Sequence, residues 1–123
     1  MRFIPTKVHG ILDYLMAILL MASPWIFGFA NDGYAQWVPF IVGVVIIGQS
    51  LFTNYEVSLI QRIPMKTHLS LDVITGLMLA ASPWIFGFAD LVYLPHLILG
   101  ILEIGAALST HQQPDYLRHG ELV

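Results

Sequence analysis

The sequence predicts an all-α membrane protein, a bundle of four transmembrane helices built from two parallel tandem helical hairpins. Three observations predict it. Hydrophobic residues make up 57% of the 123 and charged residues 11%, with a mean hydropathy of +0.75. A soluble domain of this size leaves much of its surface in water and needs more polar residues to cover it. Sliding the chain against itself by 59 positions aligns residues 4–30 with 63–89, and 16 of the 27 pairs are identical. Such self-similarity reads as an internal duplication. Finally, four apolar segments stand at roughly 8–29, 38–53, 67–88 and 94–110, near the ~20 residues a helix needs to cross a ~30 Å hydrocarbon core. They are apolar on every face, unlike the alternating strands of a membrane barrel.

The first helix follows Ile4-Pro5-Thr6-Lys7-Val8-His9. Arg2 and Lys7 ahead of an apolar run suggest a secretory signal, but the run from Val8 to Ala30 is too long for one and no small-residue cleavage site follows. It reads as a retained helix. It closes on Ser-Pro-Trp-Ile-Phe-Gly-Phe-Ala at 23–30. Pro24 lacks an N–H and clashes with the carbonyl four residues back, so it kinks or ends the helix near the outer face. Ser23 can bond back to the carbonyl so freed. Trp25 prefers the headgroup region, with Tyr34 and Trp37 beside it, and Gly28 permits an exit turn or a close helix contact.

The second helix, 38–53, is short, and Gly43, Gly48 and Ser50 read as its packing surface. The third repeats the first: Ile63-Pro64-Met65-Lys66-Thr67-His68 opens it, and Ser82, Pro83, Trp84 and Gly87 stand in the unchanged block at 82–89. The fourth answers the second at an offset of 57, placing Gly100 and Gly105 on Gly43 and Gly48, and Thr110 on Thr53. Ala106 and Ala107 join its packing surface. The whole chain, 1–123, is a single membrane domain, with a first repeat at 4–55, a second at 63–111 and a tail at 112–123.

A Ser-Pro-Trp block that occurs twice, each time in the first helix of a membrane hairpin, resembles the SPW repeat family of bacterial membrane proteins. The resemblance covers about residues 4–110. It implies a multi-pass protein of the bacterial inner membrane with Ser23, Pro24, Trp25, Ser82, Pro83 and Trp84 as a structural motif, and it implies no reaction and no catalytic residue.

Arg2, Lys7, Arg62, Lys66 and Arg118 lie at the N-terminus, in the central loop or in the tail, and none lies at 31–37 or 90–93. The positive-inside rule then places both termini and the central loop in the cytoplasm. The repeat is parallel, with its pseudo-twofold axis along the membrane normal. A net charge of −3 offers no basic stripe for a nucleic acid. The absence of cysteine excludes disulfides, thiolate catalysis and thiolate-held zinc or iron–sulfur clusters.

Five ionisable residues stand where lipid or protein must surround them: His9, Asp13, His68, Asp72 and Glu103. His9 and Asp13 are four apart, as are His68 and Asp72, so each pair shares one helix face. Parallel duplication puts both pairs at one depth near the cytoplasmic side. Glu103 stands near the middle of the fourth helix, where the first repeat has Ile46. A structural role, with each Asp orienting its His and tying helices together, is the first reading. The same residues offer the ligand types of a zinc, manganese or iron site, although His-x3-Asp is not the spacing of di-iron bundles. Proton or ion translocation through Glu103 and the Asp pairs is a third reading, and haem between His9 and His68 a fourth. His96, His111 and His119 read as surface residues. No Ser-His-Asp arrangement, phosphate-binding loop or nucleotide motif is present, so no catalytic residue and no cofactor is assigned.

The functional expectation is a non-enzymatic structural or accessory subunit, embedded in the lipid bilayer and associating with itself or another membrane protein. The alternatives are a proton or ion transporter component and a membrane metal-binding protein.

Overall fold

The computed structural model describes residues 2–114 and contains four α-helices: α1 (Thr6–Ile26), α2 (Tyr34–Leu51), α3 (Met65–Ile85) and α4 (Leu94–Ser109). The expected helix count and order hold. At ~1.5 Å per residue the 21-residue α1 and α3 span ~32 Å, α2 about 27 Å and α4 about 24 Å. The first three are each long and apolar enough to cross a membrane, and α4 is a shorter apolar helix of 16 residues. Large apolar side chains such as Leu15, Ile18, Ile41, Val44, Leu77, Met78, Ile98 and Ile101 point outward along all four. Water would reject such a belt, whereas lipid accepts it. Arg118 and His119, with residues 115–123 of the expected tail, lie outside the described residues.

Each helix pairs chiefly with its hairpin partner, α1 with α2 and α3 with α4. Small residues let the backbones meet: a Cβ on Gly43 would sit 2.8 Å from Ala17 O, and one on Gly100 would sit 2.6 Å from Gly76 O. Gly48 and Gly105, expected in the same surface, have nothing within 4 Å of an added Cβ and take no part in packing. They fall on the outward side of the helices that Gly43 and Gly100 turn inward.

At the Ser-Pro-Trp end of the bundle the proline motif behaves as its chemistry requires. Pro24 cannot donate to Leu20 O, and Ser23 Oγ donates to that oxygen instead, at 2.7 Å. Ser82 Oγ does the same for Leu79 O beside Pro83, also at 2.7 Å. The helix continues through each proline for two residues, then stops in a left-handed residue, Gly28 at φ 76° and Gly87 at φ 74°. Phe29 N and Phe88 N close the cap by donating to Pro24 O and Pro83 O at 2.8 Å. The glycine stop ends α1 and α3 three residues before the expected limits. Trp25 and Trp84 stay largely exposed, at 62% and 56%.

His96 corrects an expectation. It is 1% exposed rather than a surface residue. Pro39, inside α2, leaves Ala35 O without its helical donor, and His96 Nε2 donates to that oxygen at 2.8 Å. The buried rings of Phe29 and Phe88 flank it, each with a centroid 4.9 Å from the imidazole. Its Nδ1 finds no partner among the described residues.

At the opposite end, extended segments lace the helices together. Phe3 N and Ile4 N donate to Ser109 O at 2.7 and 2.8 Å, and Arg62 N and Ile63 N donate to Phe52 O at 3.0 and 2.7 Å. The segment leading into α1 is thereby fixed beneath α4, and the segment leading into α3 beneath α2. Each helix that carries a His–Asp pair is seated on the end of a helix from the other hairpin.

Candidate functional site

His9 and His68 lie in the first turn of α1 and α3, and Asp13 and Asp72 one turn further in. The fold brings these four side chains, all buried, into one cluster. Within each helix the i,i+4 contact forms, at 3.1 Å for His9 Nε2 and Asp13 Oδ1 and 3.2 Å for His68 Nε2 and Asp72 Oδ2. The shorter contacts cross between helices: His9 Nε2 to Asp72 Oδ2 and His68 Nε2 to Asp13 Oδ2, both 2.9 Å. The result is a closed ring of alternating imidazole and carboxylate. Pairing within one helix was legible in the sequence; the crossed pairing was not, because spacing says nothing about the facing helix.

Two threonines orient the rings. Thr110 Oγ1 lies 2.6 Å from Ala106 O and 2.7 Å from His9 Nδ1. A carbonyl oxygen only accepts, so at that distance the hydroxyl proton lies between the two oxygens, and His9 Nδ1 must supply the hydrogen it shares with Oγ1. Thr53 repeats the arrangement, 2.6 Å from Gln49 O and 2.6 Å from His68 Nδ1. Thr53 follows α2 and serves the histidine of α3; Thr110 follows α4 and serves the histidine of α1. Both imidazoles therefore carry Nδ1–H outward and aim Nε2 at the carboxylates. The match of Thr110 with Thr53 was visible at the 57-residue offset, but nothing in the sequence linked either residue to a histidine.

Each carboxylate also accepts from a donor outside the ring. Gln49 Nε2 donates to Asp72 Oδ1. The fully buried Tyr55, from the central loop, donates its hydroxyl to Asp13 Oδ2 at 3.2 Å and lays its ring 5.3 Å from that of His68. Burial, with the charge of Asp13 adding to it, pushes the Tyr55 phenol well above its ordinary value, so it remains a donor. Gly10 makes room for this loop: a Cβ there would stand 2.9 Å from Tyr55 Cε2.

Glu103 stands apart from the ring. It is 5% exposed, and neither carboxylate oxygen has a hydrogen-bond partner among the described residues. It lines a 340 Å³ cleft between α1 and α4 that His9 and Asp13 also border. No described contact supports haem between His9 and His68, because their rings meet edge to face at 5.6 Å and each Nε2 is turned to carboxylates.

Two Nε2 atoms and two carboxylates facing one point require positive charge there. A proton on each Nε2 supplies it, as does one divalent cation. Ligands ~2.0–2.1 Å from a tetrahedral ion stand ~3.3–3.4 Å apart, and the contacts here run from 2.9 to 3.2 Å. One ligand atom from each of the four residues can be taken so that all lie within 4.8 Å of one another, which brings the donor set of a single ion together. Metal-ligating histidines likewise donate the other ring N–H to a fixed acceptor, a part played here by the two threonine hydroxyls.

Apolar helices with outward-facing apolar side chains and a buried polar ring define a small polytopic membrane protein, a four-helix bundle. A family model, the SPW repeat domain, matches residues 7–110, and the chain belongs to that family. Neither the curated proteins nor the solved structures give a match.

Proposed function

We propose that this protein is a small metal-binding protein of the membrane, holding one divalent first-row ion between His9, Asp13, His68 and Asp72. The observation that carries the reading is the locked direction of both imidazoles, Nδ1–H on Thr110 and Thr53 and Nε2 on the carboxylates. Two neutral imidazoles, two carboxylates and a dication sum to zero charge, which suits a buried site. Mixed nitrogen and oxygen donors favour zinc, manganese or iron(II) over calcium. When bound, the ion would cross-link α1 and α3. The residues around it hold the rings, exclude water and fix the carboxylate faces. An accessory role in a larger membrane assembly, formed by self-association or with another membrane protein, is compatible with such a staple.

The setting is the bacterial inner membrane, with the tetrad at the cytoplasmic end. The basic residues Arg2, Lys7, Arg62 and Lys66 all lie near that end, which supports the orientation. The recurrence of Ser23 on Ser82, Thr53 on Thr110 and each backbone tie on its counterpart supports one hairpin copied in tandem.

The test is elemental analysis of protein purified in detergent without chelators, followed by titration with Zn²⁺, Mn²⁺ and Fe²⁺. One ion per chain, lost in His68→Ala and in Asp72→Asn, is the expected result. A protein that takes up none of the three ions would overturn the reading and leave a proton-held structural ring.

A further inference from the structure

The two sides of the tetrad are not equivalent, although the residues that build it are. On the α2 side, Gln49 reaches Asp72 and Ile46 is fully buried beside it. At an offset of 57 the α4 side has Ala106 for Gln49 and Glu103 for Ile46. A large side chain is replaced by a methyl group and an apolar one by a carboxyl. The α2 side is filled; the α4 side opens into the 340 Å³ cleft.

The shape and chemistry of that cleft are graded. His9, Asp13 and Glu103 make its polar part, and Leu15, Met16 and Leu19 continue it along α1. From residue 9 to residue 19 the helix rises ~15 Å, so the cleft runs from near the membrane edge toward the bilayer interior. Leu12, Leu15 and Leu102, which also border it, are exposed on the bundle's outer surface, so the cleft opens sideways toward lipid. Its volume lies in the ~300–1,000 Å³ range of small-molecule sites.

Charge selects the occupant. The tetrad is neutral with either two protons or one dication, so the carboxylate of Glu103 has no counter-charge from it. Arg2 donates instead to Ala107 O and Thr110 O, at 2.9 and 2.8 Å, and Lys7 and Lys66 lie exposed at the helix entries. A buried carboxyl without a partner at membrane depth is costly in its charged form, so it either holds a proton or is met by a cation. We propose that the α1–α4 cleft binds a lipophilic amine from the bilayer, its ammonium group on Glu103 and its single apolar chain along Leu15, Met16 and Leu19. This site is independent of the metal reading, since none of its contacts needs an ion in the tetrad.

The test uses the full chain in phosphatidylcholine nanodiscs and dodecylamine carrying a diazirine on its alkyl chain, with adducts mapped by mass spectrometry. Labelling is expected on residues of α1 and α4 that border the cleft. Excess dodecylamine should suppress it and excess dodecanol should not. Glu103→Gln, nearly isosteric, and Ala106→Gln, which fills the cleft as Gln49 fills its counterpart, should each reduce labelling at least tenfold. Labelling that survives both substitutions, or that dodecanol suppresses as well as the amine does, would overturn the proposal and show an apolar groove occupied by any acyl chain.

Discussion

Thr53 and Thr110 decide which way two imidazoles point, yet each is a small polar residue at a helix end, where threonine ordinarily bonds back to its own helix. Both do so here, and that bond turns the hydroxyl oxygen into an acceptor for the histidine. Thr53→Val and Thr110→Val keep the side-chain shape and strand an Nδ1–H. Each should lower stability by about 1–3 kcal/mol, read as an earlier thermal transition in detergent, and should weaken metal binding by about 10–100-fold. Because the two threonines serve equivalent rings, their effects should be alike; a valine that changes neither quantity would show the ring direction to be set elsewhere. His68→Ala should be more damaging than either valine, since it takes an imidazole from both Asp13 and Asp72 and leaves a void in the buried ring. Glu103 presents the converse situation. The sequence marks it by the contrast with Ile46, but its lack of any partner is a property of the fold.

At the level of helices, much was legible because the local chemistry is strong. Pro24 and Pro83 foretell a freed carbonyl, and Ser23 and Ser82 are the adjacent groups able to take it. Pro39 frees one too, but only because α2 begins at Tyr34 rather than at the expected 38, and the group that takes Ala35 O, His96, arrives from α4, 61 positions along the chain, where no local rule locates it. The helix ends were misjudged for the same physical reason in both hairpins. Apolar content runs on through Phe27 and Phe29, while the backbone has already turned at a left-handed glycine. Gly28→Ala and Gly87→Ala should therefore each cost about 1–2 kcal/mol, the penalty of that conformation for a side chain, even though neither added Cβ would meet a neighbour. Gly48→Ala, equally free of neighbours but helical, should be neutral or slightly stabilising. Comparing thermal unfolding of the three separates backbone strain from packing. Gly100→Ala tests packing by itself, since its Cβ would fall 2.6 Å from Gly76 O and must push α3 and α4 apart.

Across the whole molecule, what the sequence left open was how one hairpin faces the other. Composition and periodicity placed four helices in lipid, and spacing placed each His beside its Asp, but only the closed arrangement of the bundle sets His9 against Asp72 and His68 against Asp13. The orientation of that bundle is the remaining global quantity, and charge is what predicts it. Among the described residues Arg2, Lys7, Arg62 and Lys66 lie at the tetrad end, whereas the loops at the Ser-Pro-Trp end carry Asp32 and Asp90 and no basic residue. Short loops rich in Lys and Arg remain cytoplasmic because their translocation is disfavoured, and acidic residues contribute little to the choice. A reporter fused after Val123 should therefore be active only in the cytoplasm, and one inserted at 31–36 only outside. If the loop reporter is also cytoplasmic, α1 and α2 do not both cross, and the tetrad loses the common depth on which its crossed contacts depend. If both reporters exchange sides, the bundle is intact but inverted, and the tetrad with its adjoining cleft faces the outer leaflet. The expected result places them at the inner leaflet, where the proposed ion would reach the tetrad from the cytoplasm.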